Sequence, residues 1–294
     1  MSQFATSPET GRGVFVSNLR NIGTNTSLLI GLGLVSLVVI SAVLADFITP
    51  HDPNFANPII RYLPPLSEGY ILGTDELGRD ILSRLIYGAR IALFVAIIPT
   101  VISLLIGGIL GLIAGYVGSF IDTFVMRYFD IMFAFPGILL ALGISAAIGP
   151  GLNSMIIAMV VVTIPEFGRI IRGVVLGVRE ELYVEAARVL GYSHARIILF
   201  HILPNVVAPA LIYGTLQTGR NVILAASLSF LGLGIQPPTP DWGQMLSGGR
   251  TSMVMAPHVA TIPGLAIVFL AVGFNLLGDG IRDLLDPRSR QSAK

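Results

Sequence analysis

Residues Arg169–Pro204 read RIIRGVVLGVREELYVEAARVLGYSHARIILFHILP, a charged island between two strongly apolar segments. A polar stretch of this size flanked by membrane-length apolar runs is expected to be a loop on one face of a bilayer. From Glu180 to Leu190, the residues Leu182, Tyr183, Ala186, Ala187, Val189 and Leu190 fall on one broad side of a helix, with Glu181, Glu185 and Arg188 on the other. Gly191 suits the left-handed conformation that ends a helix. Ser193 is placed to cap a second helix, expected to run through Ile197 and Phe200 to Pro204. Ala186 and Ala187 lack bulk, so another surface can approach them closely. Glu181 and Glu185 are like charges at i and i+4, which costs a few tenths of a kcal/mol unless a cation answers them. The pattern predicts a knob seated in a partner's groove. A helix lying on lipid is usually richer in lysine and arginine.

Composition agrees with a membrane setting. The chain of 294 residues is 53% hydrophobic and 12% charged, with a mean hydropathy of +0.81, far too apolar for an ordinary soluble protein. The fold class expected is an all-α membrane protein with six transmembrane helices: Leu28 to Phe47, Ile91 to Ile113, Ile131 to Ile148, Met155 to Ile171, Val206 to Leu233 and Val259 to Leu277. The first run is longer than the apolar core of a signal peptide and is read as a retained helix. With both termini in the cytoplasm, twelve basic residues fall inside and five outside, the distribution that the positive-inside rule favours. The Arg169–Pro204 loop then faces the cytoplasm. The chain divides into residues 1–90, comprising a tail, the first span and an outer loop, and residues 91–294, a five-helix core.

Several chemistries are disfavoured. There is no cysteine, which removes disulfides, thiol catalysis and Cys-ligated metal. His51, His194, His201 and His258 are scattered without ligand spacing, so no metal site is expected. A net charge of +1 with arginines spread over loops argues against a nucleic-acid partner. A phosphate-binding loop needs a lysine after its glycine-rich turn, and the single lysine is Lys294. Any ATP that drives this protein must be hydrolysed by another chain.

The Glu185-Ala186-Ala187 core followed by Gly191 resembles the loop by which permease subunits of ABC importers grip their ATPase. The resemblance extends to LGTDELGRDILSRLIYGAR (Leu72 to Arg90), DIMFAFPGILLA (Asp130 to Ala141), LSFLGLGIQPPTPDWGQML (Leu228 to Leu246) and FNLLGDGIRDLLDPR (Phe274 to Arg288). Over nearly its whole length the chain is similar to the C-type permease subunit of the peptide/nickel branch of ABC importers. It departs from the pattern at His201, where relatives have isoleucine three residues before the proline, and at Ala225, where they often carry an acid. The resemblance implies a type I importer permease fold with a cytoplasmic coupling helix, in a bacterial or archaeal inner membrane. It also implies a sister B-type permease, two ATP-binding subunits holding ATP and Mg, and a solute-binding protein outside. Glu181, Glu185, Ala186, Ala187, Arg188 and Gly191 would then couple to the ATPase, and no residue here would be catalytic. Peptides or related small solutes would be the cargo.

In the fifth span, Tyr213, Gln217, Arg220 and Asn221 fall at i, i+4, i+7 and i+8 and are read as one polar face lining the pathway. An arginine at that depth is costly against lipid and calls for water or a partner. Gly107, Gly111 and Gly115 repeat every four residues, a face suited to close helix packing. Thr74 or Asp75 is expected to cap an outer helix in which Asp80 pairs with Arg84, and Trp242 to sit at the membrane interface. The alternative reading is an ion-coupled secondary transporter; such proteins usually carry internal repeats and intramembrane acids, and the spans are expected to hold neither at mid-depth.

Overall fold

The computed structural model describes residues 25–285, so Arg12, Arg20, Arg288, Arg290 and Lys294 of the charge count lie outside the described residues. Among the described residues the regular elements are all helical. The long helices are α1 (Thr26–Val43), α3 (Ile81–Val117), α6 (Leu152–Arg179), α9 (Leu203–Phe230) and α11 (His258–Leu285). Between them lie α2 (Ala45–Ile48), α4 (Ser119–Phe133), α5 (Gly137–Ile148), α7 (Leu182–Val189), α8 (His194–Ile197) and α10 (Trp242–Gly249). A π-helical turn at Ile198–Ile202 joins α8 to α9 without a break. Five helices are long and apolar enough to cross a membrane, or six if the bent pair α4 and α5 is one span.

Side-chain ties define the two ends of the bundle. Arg90 and Tyr87, near the start of α3, bind Asp46 beyond α1 at 2.9 and 2.8 Å. At the other end Arg179, closing α6, donates to the Gly115 carbonyl near the end of α3 at 2.7 Å. Asn25, which caps α1, donates to Asp283 late in α11 at 3.2 Å. The chain therefore passes from end to end six times. Both ends of the described chain lie on the side that carries the Glu180–Ser193 connection.

The spans differ from their sequence expectation where helical hydrogen bonding outruns the oily stretch. α3 begins at Ile81, so the outer helix and the second span are one element of 37 residues, about 55 Å long. It runs unbroken through residue 90, where the sequence division was drawn. α6 continues to Arg179, so the polar connection begins at Glu180 rather than Arg169. The helix capped by Ser193 does not stop at Pro204 but continues to Phe230. The third span is not straight: α4 and α5 meet at 86° across Ala134–Pro136. Pro136 has no amide hydrogen to continue the ladder and disfavours helical geometry in the residue before it.

Packing follows the small residues. A Cβ on Gly107 would lie 2.3 Å from the Ile164 carbonyl oxygen, and one on Gly111 would lie 2.2 Å from that of Gly168. α3 and α6 are in backbone contact along this seam, as the glycine repeat predicts. Lipid supplies no hydrophobic drive inside the bilayer, so this close approach and its dispersion contacts hold the pair together.

The end opposite the Glu180–Ser193 connection is a packed platform. Asp80, not Thr74 or Asp75, caps α3 by accepting from the Ser83 amide at 2.9 Å. Arg84 does not pair with Asp80. It is fully buried, donates to the carbonyls of Pro53 and Pro238 at 2.9 and 3.3 Å, and lies 3.6 Å from Asp75. Trp242 is also buried rather than interfacial: its indole donates to the Leu85 carbonyl at 2.9 Å, and Gly88 makes room for its ring. Burial raises the Glu76 carboxyl above its ordinary range, with the neighbouring Asp75 adding to the effect, and burial does the same to Asp241.

Candidate functional site

α7 is a short helix with very little of its own protein behind it. Eight residues are too few to hold a helix in water unaided. Val184 and Ala187 are buried against Ile171, Val175, Ile197 and Ile202, while the rest of α7 faces outward. Full burial of a valine side chain contributes about 1.5–3 kcal/mol, so this anchor is modest. Leu182, Val189 and Leu190 are 80%, 82% and 71% exposed, an uncovered apolar rim at the end of the bundle. Glu181 and Glu185 form no ion pair among the described residues, so the like-charge cost between them stands.

The turn after α7 has the geometry expected from its sequence. Gly191 has φ +77°, and its amide donates to the Arg188 carbonyl at 3.0 Å. The Ser193 hydroxyl accepts from the Arg196 amide at 3.4 Å and starts α8. The two alanines divide their tasks. Ala187 is the point of close approach to the protein's own bundle, and Ala186 is exposed on the outer face. Arg188 turns back, its guanidinium 6.0 Å from the Tyr116 ring, beside a hollow of about 630 Å³ that Arg179, Glu180 and His194 also line.

The four polar residues of α9 do not share one open face. Gln217 and Asn221 are 4% and 0% exposed and turn into the bundle. Asn221 donates to Thr100 of α3 at 2.9 Å, and Gln217 to Asn221 at 3.4 Å. They form an inter-helix seam in this chain and are withdrawn from the set read as lining the pathway. The cause is helical rotation: Tyr213 and Arg220 lie within about 20° of one another, whereas Asn221 is about 100° round from Arg220. Arg220 is exposed, and its guanidinium stands 6.0 Å from the centre of the Tyr213 ring.

Tyr213 leads to a residue that the sequence reading missed. Its hydroxyl donates to Glu166 of α6 at 2.8 Å. Glu166 lies near the middle of α6, inside the run Met155–Ile171 that the sequence reading took as a span. The signal was present as one acid inside the run Met155–Ile171, obscured by Arg169 three residues later. Below it, Arg169 pairs with Asp130 at 2.6 Å, and Arg172 binds both carboxylate oxygens of Asp122 through its Nε and Nη2.

Comparison with known proteins places these features in a family. Residues 107–291 match the model for the binding-protein-dependent transport system inner membrane component, and residues 19–65 that for the N-terminal TM domain of oligopeptide transport permease C. The chain is 46% identical over 256 residues to the glutathione transport system permease protein GsiD of Shigella flexneri, covering 86% of this chain and 84% of that one. It is 45% identical over 256 residues to GsiD of Escherichia coli O157:H7, with the same coverage. With GsiD of Salmonella typhimurium it shares 45% over 258 residues, 87% of this chain and 84% of the relative. The relatives are permease subunits and not ion-coupled transporters, and in such systems ATP is hydrolysed on other chains. From its residues, its helices and these matches together, the chain belongs to the binding-protein-dependent inner-membrane component family, as an ABC importer permease of the peptide/nickel branch.

Proposed function

We propose that this chain pairs with a sister B-type permease to form the path by which a peptide-like solute enters the cell. An external solute-binding protein delivers the cargo, and two ATP-binding subunits, which hold the ATP and Mg, dock beneath α7. The uncovered rim of α7 carries this reading: Leu182, Val189 and Leu190 are apolar and exposed beside two unanswered carboxylates. A groove with apolar walls and a cationic edge satisfies both. Closure of the ATPases on ATP would carry α7 with it and turn the pathway outward, and hydrolysis would reset it. The arginine asymmetry supports a cytoplasmic position for this loop and for both termini.

Glutathione and short peptides are the cargo class of choice, because the relatives at 45–46% identity carry glutathione transport in their names. The test is reconstitution of the chain with its neighbouring permease, ATP-binding and binding-protein subunits in liposomes. ATP-dependent uptake of labelled glutathione or a tripeptide is expected. Assembly without an ATP-binding subunit, or uptake indifferent to ATP, would refute the proposal.

A further inference from the structure

We infer that Glu166, Tyr213 and Arg220 form a dipolar station in the pathway for solutes that carry both an ammonium and a carboxylate group. The inference rests on the importer reading above and adds a site to it. Glu166 lies about 20 Å from either end of α6 and is half-buried. Among the described residues it has no cation within ion-pair distance, and its recorded partner is the Tyr213 hydroxyl at 2.8 Å. Arg220, on the next helix, likewise has no carboxylate within that distance.

Tyr213 lies beside both residues, its hydroxyl on Glu166 and its ring near the Arg220 guanidinium. Phe167 meets it edge-on at 5.1 Å, and Arg220 lies 6.0 Å from its centre. Each charge therefore keeps unused capacity: acceptor positions on Glu166 and guanidinium donors on Arg220. A carboxylate can lie across a guanidinium in two parallel hydrogen bonds, while an ammonium is matched by a carboxylate. A solute bearing both groups answers both charges at once and adds no net charge to the pathway. A solute with one charge alone leaves the other residue without a counter-charge and forgoes that Coulomb attraction. The station thus favours amino-carboxylate solutes such as peptides with free ends over metal complexes or simple ions.

Two measurements on the assembled transporter decide it. The chain has no native cysteine, so Arg220→Cys and Glu166→Cys can each be titrated with a cationic trimethylammonium and an anionic sulfonate methanethiosulfonate reagent. With Glu166 left in place the first variant should favour the cation, and with Arg220 left in place the second should favour the anion. The ratio of the two rates should differ about tenfold between the variants. Equal ratios, or no reaction in a complex that still hydrolyses ATP, would show charges answered by the sister chain or by protein and would overturn the station.

The second measurement compares uptake of trialanine, N-acetyl-trialanine and trialanine amide with one binding protein throughout. Glu166→Gln should lower the preference for free over acetylated peptide about tenfold, and Arg220→Gln the preference for free over amidated peptide. Unchanged preferences would overturn the proposal. If the parent chain moves no trialanine at all, the peptide reading of the importer falls, and the reagent ratios still decide the station.

Discussion

Gly191 is the residue on which the turn beneath α7 depends most directly. Its φ of +77° is open to glycine and strained for residues with a side chain, yet no atom lies within 4 Å of where a Cβ would stand. A substitution therefore meets a backbone penalty of about 1–2 kcal/mol and no clash. Gly191→Leu should leave the chain inserted and assembled while uptake falls several-fold, and Gly191→Asn, which tolerates the left-handed region, should retain more activity. Glu185→Arg changes an exposed residue whose side chain has no ion-pair partner among the described residues, so its effect should appear in ATP-coupled uptake and not in yield. Unaltered uptake in both Gly191→Leu and Glu185→Arg would remove this loop from the mechanism. At this scale the sequence was legible wherever local backbone chemistry decides: the Gly191 turn and the Ser193 cap stand as read. It was less legible at Gln217, Asn221 and Trp242, whose polar groups turn inward to Thr100 and Leu85, because spacing along one helix does not reveal what packs against it.

At the scale of the element, the seam between α3 and α6 leaves little room for change. A side chain at Gly111 would press on the Gly168 backbone, which cannot move aside as the tip of a flexible side chain can. Gly111→Val should cost about 1–3 kcal/mol or more through overpacking. The expected result is a sharp loss of monodisperse protein after detergent extraction, with Gly173→Ala, where no atom lies within 4 Å, behaving as the parent. A normal elution profile for Gly111→Val would show that the two helices do not approach as described. The glycine repeat announced this seam in advance. The bend between α4 and α5 and the full lengths of α3, α6 and α9 were not announced, because hydropathy marks the part of a helix that sits in oil. Hydrogen bonding carries the helix onward into polar sequence, as in Ile81–Arg90 and Arg169–Arg179, and Pro136 interrupts a run that hydropathy alone reads as continuous.

At the scale of the whole molecule, six passages, and described ends (residues 25 and 285) that return to one side, follow from the ties at Asp46, Arg179 and Asn25. A reporter joined after Lys294 is expected in the cytoplasm and one inserted near Asn57 outside; finding both on one side would contradict this path. In the proposed assembly the pathway and the coupling groove are shared with other chains, and the exposed rim of α7 is where the ATP-binding subunit would dock. The most direct test of the account is a single cysteine introduced by Ala186→Cys in this cysteine-free chain, joined to a short bifunctional thiol-and-amine cross-linker in the assembled transporter. The account predicts one product with the mass of this chain plus an ATP-binding subunit, formed at a rate that changes when ATP is trapped. A well-assembled, transporting complex that yields no such product would contradict it.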